Sequence, residues 1–264
     1  MQSSQFHLHA EIEEKHWWFL GRRRIMTSLV HRLVPPFKKS VILDIGCGTG
    51  GNIAALASEY SCMGIDSSSE AIALAKKRFP QVEFRCCPMD SLDFGAAGSS
   101  ADLFLLMDVL EHVEEDIALL SQIVSAAKPG AYFLVTVPAD MALWSRHDVS
   151  FGHYRRYNQA QFEKLWAGLP VSALLVSHYN TRLYPIVRTI RTLNRLRGET
   201  SGDAGTDFRM PMSPINTLLE KMLAGEGPRL ARILERKQSR GFASGVSLIA
   251  VLRRNEAGTS SRVC

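Results

Sequence analysis

The order of segments in this chain of 264 residues predicts an α/β fold, a doubly wound and mostly parallel sheet with a helical insertion before its last strand. Three observations carry the prediction. Short apolar runs rich in β-branched residues alternate with helical stretches from residue 41 onward. The first of those runs, 41–45, breaks into glycines at positions 46, 48, 50 and 51. Residues 180–245 then part the last two runs, a longer segment than a hairpin needs.

Residues 5–34 place Trp17, Trp18, Phe19, Ile25, Leu29 and Leu33 at helical spacing, and Pro35-Pro36 closes the segment. Residues 1–36 are therefore expected to form an N-terminal helical cap. Strands are predicted at 41–45, 61–65, 82–86, 102–107 and 131–137, with helices near 52–58, 69–78, 114–127 and 159–168. Further strands at 171–178 and 246–253 complete a sheet whose core spans 37–179, with 246–264 supplying the last strand and a tail. Inside 180–245, Ile186, Ile190 and Leu193 oppose Arg188, Arg191 and Arg195 on an amphipathic helix. Gly198 to Asp207 reads as a mobile loop, and a second helix follows Pro214.

Hydrophobic content of 46% and charged content of 22% are those of an ordinary globular protein. The five cysteines include no Cys-x-x-Cys pair and no zinc spacing, which argues against a disulfide framework or structural metal. No apolar run reaches the ~18 residues of a membrane span, and Met1-Gln2-Ser3-Ser4 lacks the order of a secretion signal. A reducing cytoplasm is expected. The net charge of +5 is local, because residues 180–245 hold twelve Lys/Arg against six Asp/Glu. A substrate lid is the first expectation for that segment, a homodimer contact the second (the chain being otherwise monomeric), and peripheral membrane contact the third. Arg22-Arg23-Arg24 has no aromatic nucleic-acid motif beside it, so no nucleic acid is expected.

Glycines where a buried strand ends let backbone amides approach a nucleotide-like ligand. Gly46, Gly48 and Gly51 fit the spacing G-x-G-x-x-G, and Asp66 ends the next strand, where an acid accepts from ribose hydroxyls. To this point nicotinamide and adenosyl ligands are equal. Asp44, two residues before the first glycine, would repel a pyrophosphate and pair with a ligand ammonium. Met89-Asp90-Ser91 follows the third strand, Leu106 to Val113 the fourth, and Ala127-Lys128-Pro129-Gly130 precedes the fifth.

In combination these residues resemble the class I S-adenosylmethionine-dependent methyltransferases over roughly 40–180 and again at 246–253. The resemblance implies a Rossmann-like fold of seven strands, the last antiparallel. It implies that Gly46, Cys47, Gly48 and Gly50 wrap the methionine part of S-adenosylmethionine, with Asp44 near its amino group. Asp66 and Ser67 would hold the ribose, Asp90 and Ser91 flank the adenine, and Asp108 and Val109 close the site. Gly130-Ala131 departs from the Gly-Gly of most relatives. Glu13-x-x-His16-Trp17-Trp18-Phe19-x-Gly21-Arg22-Arg23 resembles a signature of one bacterial subgroup linked to surface or specialised metabolites, as does Trp144-Ser145-x-His147-Asp148 with Gly152-His153-Tyr154-Arg155-Arg156-Tyr157.

For the acceptor, a small molecule methylated on O or N, the loop after the fifth strand supplies the candidates. His147 or His153 is the expected general base, and Arg155 or Arg156 would grip an anionic acceptor. Trp17, Trp18, His112, Trp144 and Tyr154 complete the expected acceptor pocket; the alternatives are ordinary packing for Trp17, Trp18, Tyr154 and Tyr157, and pairing with nearby acids for the arginines. Asp108, Glu111 and His112 resemble a group that can hold a divalent metal in quinone-pathway O-methyltransferases; no metal is expected here, and Glu111 is read as orienting its turn. The other readings are a nicotinamide-dependent oxidoreductase, against which stands the missing Tyr-x-x-x-Lys pair, and a catalytically silent partner subunit.

Overall fold

A computed structural model describes residues 3–37, 39–89, 92, 94–196, 208, 210–236, 238 and 240–256. Its centre is a seven-stranded sheet: β1 (Val41–Ile45), β2 (Ser61–Asp66), β3 (Glu83–Cys86), β4 (Leu103–Met107), β5 (Tyr132–Pro138), β6 (Val171–Tyr179) and β7 (Ser247–Arg254). The strands lie in the order β3-β2-β1-β4-β5-β7-β6. β1 to β5 pair in parallel, and β7 runs antiparallel between β5 and β6. β4 is buried along its whole length, which is why Leu-Phe-Leu-Leu-Met reads as an unbroken apolar run. The direction of winding reverses between β1 and β4, so a crevice opens there at the carboxyl edge.

Both faces of the sheet are covered. On one, α6 (Asp116–Ala126), α5 (Gly95–Ser100) and α8 (Gln159–Lys164) pack Ile123, Leu120 and Phe162 against Phe104, Phe133 and Leu106. On the other, α2 (Trp17–Leu33), α3 (Gly51–Ala54), α4 (Ser69–Arg78), α10 (Ser213–Ala224) and α11 (Gly227–Leu234) gather Leu29, Ile53, Ile72, Leu223 and Leu230 over Ile42 and Leu105. Ser68 caps α4 by accepting from the Ala71 amide at 3.2 Å, and Lys76, Lys77 and Arg78 sit at its negative end.

The N-terminal segment departs from a single helical stretch. α1 (Ser3–Ile12) and α2 are parted by a turn whose His16 accepts the Trp18 amide at 3.3 Å and caps α2. Gly21 lets α2 meet α10, since a Cβ there would stand 3.0 Å from Leu223. Asn216 of α10 accepts from the Trp17 amide at 2.9 Å and donates to the Lys15 carbonyl at 2.8 Å. α9 (Tyr184–Leu196) leaves Ile186, Ile190 and Leu193 exposed. α7 (Arg146–Phe151), unanticipated in the sequence reading, is started by a capping box between Ser145 and Asp148. The stretch Gly198 to Asp207 lies outside the described residues. No helix among the described residues is long and apolar enough to cross a membrane.

Candidate functional site

At the carboxyl edge the loops after β1, β2, β3 and β4 surround a cavity of about 520 Å³, closed by α1, α2 and residues of the 180–245 segment. Asp108, Asp140 and Asn180 follow β4, β5 and β6 with φ of +62°, +60° and +56°. Non-glycine residues in this left-handed region cluster where a site dictates the backbone.

Gly46, Cys47, Gly48, Asp66, Ser67, Asp108 and Val109 all line the cavity. Gly46 has φ +70°, and a Cβ would stand 2.6 Å from Val109 Cγ2, so only glycine lets this loop lie against the β4 turn. Gly48 has φ +53° with nothing within 4 Å of its Cβ position, which leaves its wall open to a ligand. Asp66 Oδ2 accepts the Gly48 amide at 2.8 Å, and Oδ1 accepts the Ser68 amide at 2.8 Å. Each carboxylate oxygen keeps a lone pair for a ligand hydroxyl. Burial raises the Asp66 carboxyl and lifts the Cys47 thiol well above its ordinary range.

Two of the expected loop residues stand elsewhere. Gly50 (φ +86°) does not line the cavity; its Cβ would meet the Phe84 ring at 2.7 Å, so it is a packing glycine. Asp44 is 1% exposed, beneath the loop rather than on the wall, and burial pushes its carboxyl up to about 8. Its Oδ2 has no hydrogen-bond partner among the described residues. Asp90 and Ser91 lie outside the described residues; Met89 lines the cavity beside them.

The turn between α1 and α2, and α2 itself, complete this end with residues that the sequence left without a ligand role. Glu13 accepts the Thr49 hydroxyl at 2.9 Å and pairs with Arg78, which ties the N-terminal segment to the glycine loop. Arg22, with its side chain 7% exposed, forms an ion pair with Asp108 and lies 4.2 Å over the Trp18 ring. Asp108 also accepts the Thr136 hydroxyl at 3.0 Å. The spacing Glu13-x-x-His16-Trp17-Trp18 offered the only sequence signal for this placement.

At the far end His147, His153, His112 and Arg156 converge with Trp17 and Trp18. Asp148, 0% exposed, is their hub. Its Oδ1 accepts from His153 Nδ1 at 2.9 Å and Arg156 Nε at 2.7 Å, its Oδ2 accepts the Ser145 amide at 2.8 Å, and Arg191 Nη1 stands at 3.7 Å. Burial alone would raise this carboxyl; the bonds from His153 and Arg156 outweigh it and hold the group well below the usual range. His9, His112 and His147 are pushed down to about 3, chiefly by burial. They stand in the wall as neutral rings. Phe208 lies among His9, His16, Trp18, Phe19, His147 and Phe151, ring centroids 5.0–5.8 Å away.

Glu111, 0% exposed, has neither carboxyl oxygen bonded among the described residues; burial and then Asp108 raise it well above its ordinary range. Glu111, His112 and His153 bring one ligand atom each within 4.8 Å of one another, a geometry able to hold a metal ion. Three expected acceptor residues are not brought to the cavity. Arg155 turns outward to Asp116 (2.8 Å) and the Glu114 carbonyl (2.8 Å), and Tyr154 is 56% exposed beside it. Trp144 sits outside, at the end of the short turn that precedes α7.

A family profile described as a methyltransferase domain matches residues 19–170. A probable S-adenosylmethionine-dependent methyltransferase of Mycolicibacterium smegmatis is 25% identical over 157 residues, 58% of this chain and 59% of that protein. A ubiquinone biosynthesis O-methyltransferase of Parvibaculum lavamentivorans is 32% identical over 109 residues, 39% of this chain and 42% of that one. The chain thus spans about half the length of these curated relatives. The solved plantazolicin methyltransferase BpumL, in complex with a monoazolic desmethylPZN analog and S-adenosylhomocysteine, overlays with a TM-score of 0.57 at 18% identity, covering 96% of this chain and 90% of that one. That likeness concerns the fold. The nicotinamide and silent-subunit readings find no support in these matches.

Proposed function

The chain belongs to the methyltransferase domain family, and on that premise we propose that it moves a methyl group from S-adenosylmethionine to a small-molecule acceptor. One observation carries the reading: a single cavity joins the open glycine wall and Asp66 at one end to a histidine–carboxylate pair at the other. The residues suit the cofactor, since Gly48 leaves space where a side chain would intrude and Asp44 Oδ2 and Arg22 Nε are buried polar atoms without protein partners among the described residues. When bound, S-adenosylmethionine supplies an electrophilic methyl on its sulfonium.

The chain's own residues do the rest. Asp66 holds the ribose hydroxyls, and the Gly46–Gly48 wall admits the amino-acid end. His153 is the general base in preference to His147. Asp148 fixes the proton on its Nδ1, leaves Nε2 to accept a proton from an acceptor hydroxyl, and stabilises the imidazolium that forms. His147, pushed down to about 3, is too weak a base near neutral pH. Arg156 and Arg191 favour an acceptor with an anionic group, and the rings of Trp18, Phe19 and Phe151 favour a flat apolar body. Residues 180–245 form a lid, a reading supported by Asn180, Val187 and Arg191 on the cavity wall. O-methylation is the first reading; an amine bound in its neutral form would need no base. The test is calorimetry: heat with S-adenosylhomocysteine and none with NAD supports the proposal, and the reverse overturns it.

A further inference from the structure

α9 is packed the wrong way round for a helix that faces water. Arg191 is its buried residue and stands 3.7 Å from Asp148. On the same side the Tyr184 hydroxyl donates to Asp140 at 2.7 Å, and Arg195 Nη2 donates to the Ala142 carbonyl at 2.7 Å. Ile186, Ile190, Leu193 and Leu196, by contrast, are 46–79% exposed. A surface helix of a globular domain ordinarily does the reverse, turning its apolar stripe to the core and its charges to water. Here the protein takes the polar half and leaves the apolar half outside.

The charges around this face are one-sided. α9 contains no acid, and its exposed charges are Arg188 and Arg195. Arg182, two residues ahead of α9, ties it to α10 by donating from Nη1 to the Met222 carbonyl at 3.1 Å. α10 exposes Ile215 and Leu218 together with the cation Lys221, while its one acid, Glu220, is buried against Arg24 at 2.8 Å. A second copy seated on this face by a twofold contact would meet the same patch and set arginines against arginines. An apolar stripe accompanied only by cations suits a surface that is anionic outside and apolar beneath. In the sequence a homodimer contact stands ahead of a membrane contact for this segment; the inverted packing of α9 and its one-sided charge reverse that order.

We propose that α9 is an interfacial helix that seats this protein on the surface of an anionic phospholipid bilayer. Ile186, Ile190, Leu193 and Leu196 enter the boundary between headgroups and acyl chains, and Arg188, Arg195 and Lys221 are drawn to the headgroup phosphates. With 13 residues, α9 lies on the bilayer and does not cross it. Its other side places Val187 and Arg191 on the cavity wall, so the element that meets the bilayer also walls the acceptor end. The docking face itself is outside the cavity and does not depend on the methyl-transfer reading.

The experiment is flotation of the full chain with phosphatidylcholine vesicles, with and without phosphatidylserine. The wild type should float with the phosphatidylserine vesicles, and less so as salt is added, because surface charge is screened beyond about 8 Å at physiological ionic strength. Ile190→Ser combined with Leu193→Ser removes apolar contact and should lower the partition coefficient roughly 10- to 100-fold. Both residues are exposed, so the thermal melt of this variant should match that of the wild type. Arg188→Gln combined with Lys221→Gln should weaken binding by up to about fivefold per charge, on the phosphatidylserine vesicles only; it carries the test if the serine variant does not fold. No binding by the wild type, equal binding to the two kinds of vesicle, or a serine variant that floats as the wild type does overturns the proposal. A dimer in sedimentation velocity that the two serines dissociate assigns the face to a second copy and overturns it as well.

Discussion

Replacing Asp148 by Asn isolates the hub on which the acceptor end depends. The carboxylate is 0% exposed and receives His153 Nδ1 at 2.9 Å, Arg156 Nε at 2.7 Å and the Ser145 amide at 2.8 Å. An asparagine of the same shape has one oxygen, so its NH2 group must face a donor on one side. The Arg156 charge, 4% exposed, then loses its counter-ion. Stranding a buried charge costs about 3–5 kcal/mol, a large share of the ~5–15 kcal/mol that typically holds a domain folded. At roughly 2–4 °C per kcal/mol for a chain of this size, Tm should fall by about 6–20 °C. Arg155→Ala is the comparison, because Arg155 is 31% exposed and its pair with Asp116 is worth about 1 kcal/mol. The pH dependence has a fixed sign. The Asp148 carboxyl is held below its unfolded value, so its contribution is present above about pH 4 and is lost as the pH falls further. The gap between wild type and Asp148→Asn should therefore narrow below that pH. Urea titrations at pH 7 and pH 3 check both statements. A loss no larger than that of Arg155→Ala, or a gap that widens in acid, would refute the reasoning.

The glycines separate by role. Gly48→Ala meets no atom, so it should cost about 1–2 kcal/mol of stability through its left-handed backbone and more than ~10-fold in S-adenosylhomocysteine affinity. Gly46→Ala also strikes Val109, and adding Val109→Ala should restore part of its stability, as read by thermal melts. His153→Gln should lower methyl transfer to an acceptor hydroxyl by roughly 10²–10⁴, whereas His147→Phe should lower it far less, as read by steady-state kinetics. Arg155→Ala should cost about 1 kcal/mol and leave turnover unchanged, which steady-state kinetics would check.

Much of the frame was legible because burial and punctuation agreed. Val41–Ile45 is an apolar run broken only by Asp44 and Leu103–Met107 an unbroken one, and the structure gives them as the two strands flanking the crevice. The residues just after those strands could be assigned to a site by topology alone. The loop after β5 was harder: adjacent residues there face opposite ways, so Arg156 points inward to Asp148 while Arg155 reaches Asp116. α7 escaped notice because it is one and a half turns long, although Ser145 and Asp148 carry the capping-box spacing that marks its start. His9, Asn180 and Phe208 had no local signal, and Glu13 and Arg22 stood out only as members of a motif without an assigned role. They become site residues only when chain ends far apart in sequence meet at the sheet edge, a tertiary event that periodicity does not encode.

The joint between α2 and α10, made by Gly21 under Leu223 and by Asn216 spanning Lys15 and Trp17, bears on how this architecture can be recombined. The two segments lie about 190 residues apart in sequence yet share one interface. Grafting either alone onto a related sheet would set a bulky residue against Leu223 or leave the Trp17 amide without its acceptor. Both would have to travel together, as one exchangeable module, for a transplanted acceptor pocket to keep its shape.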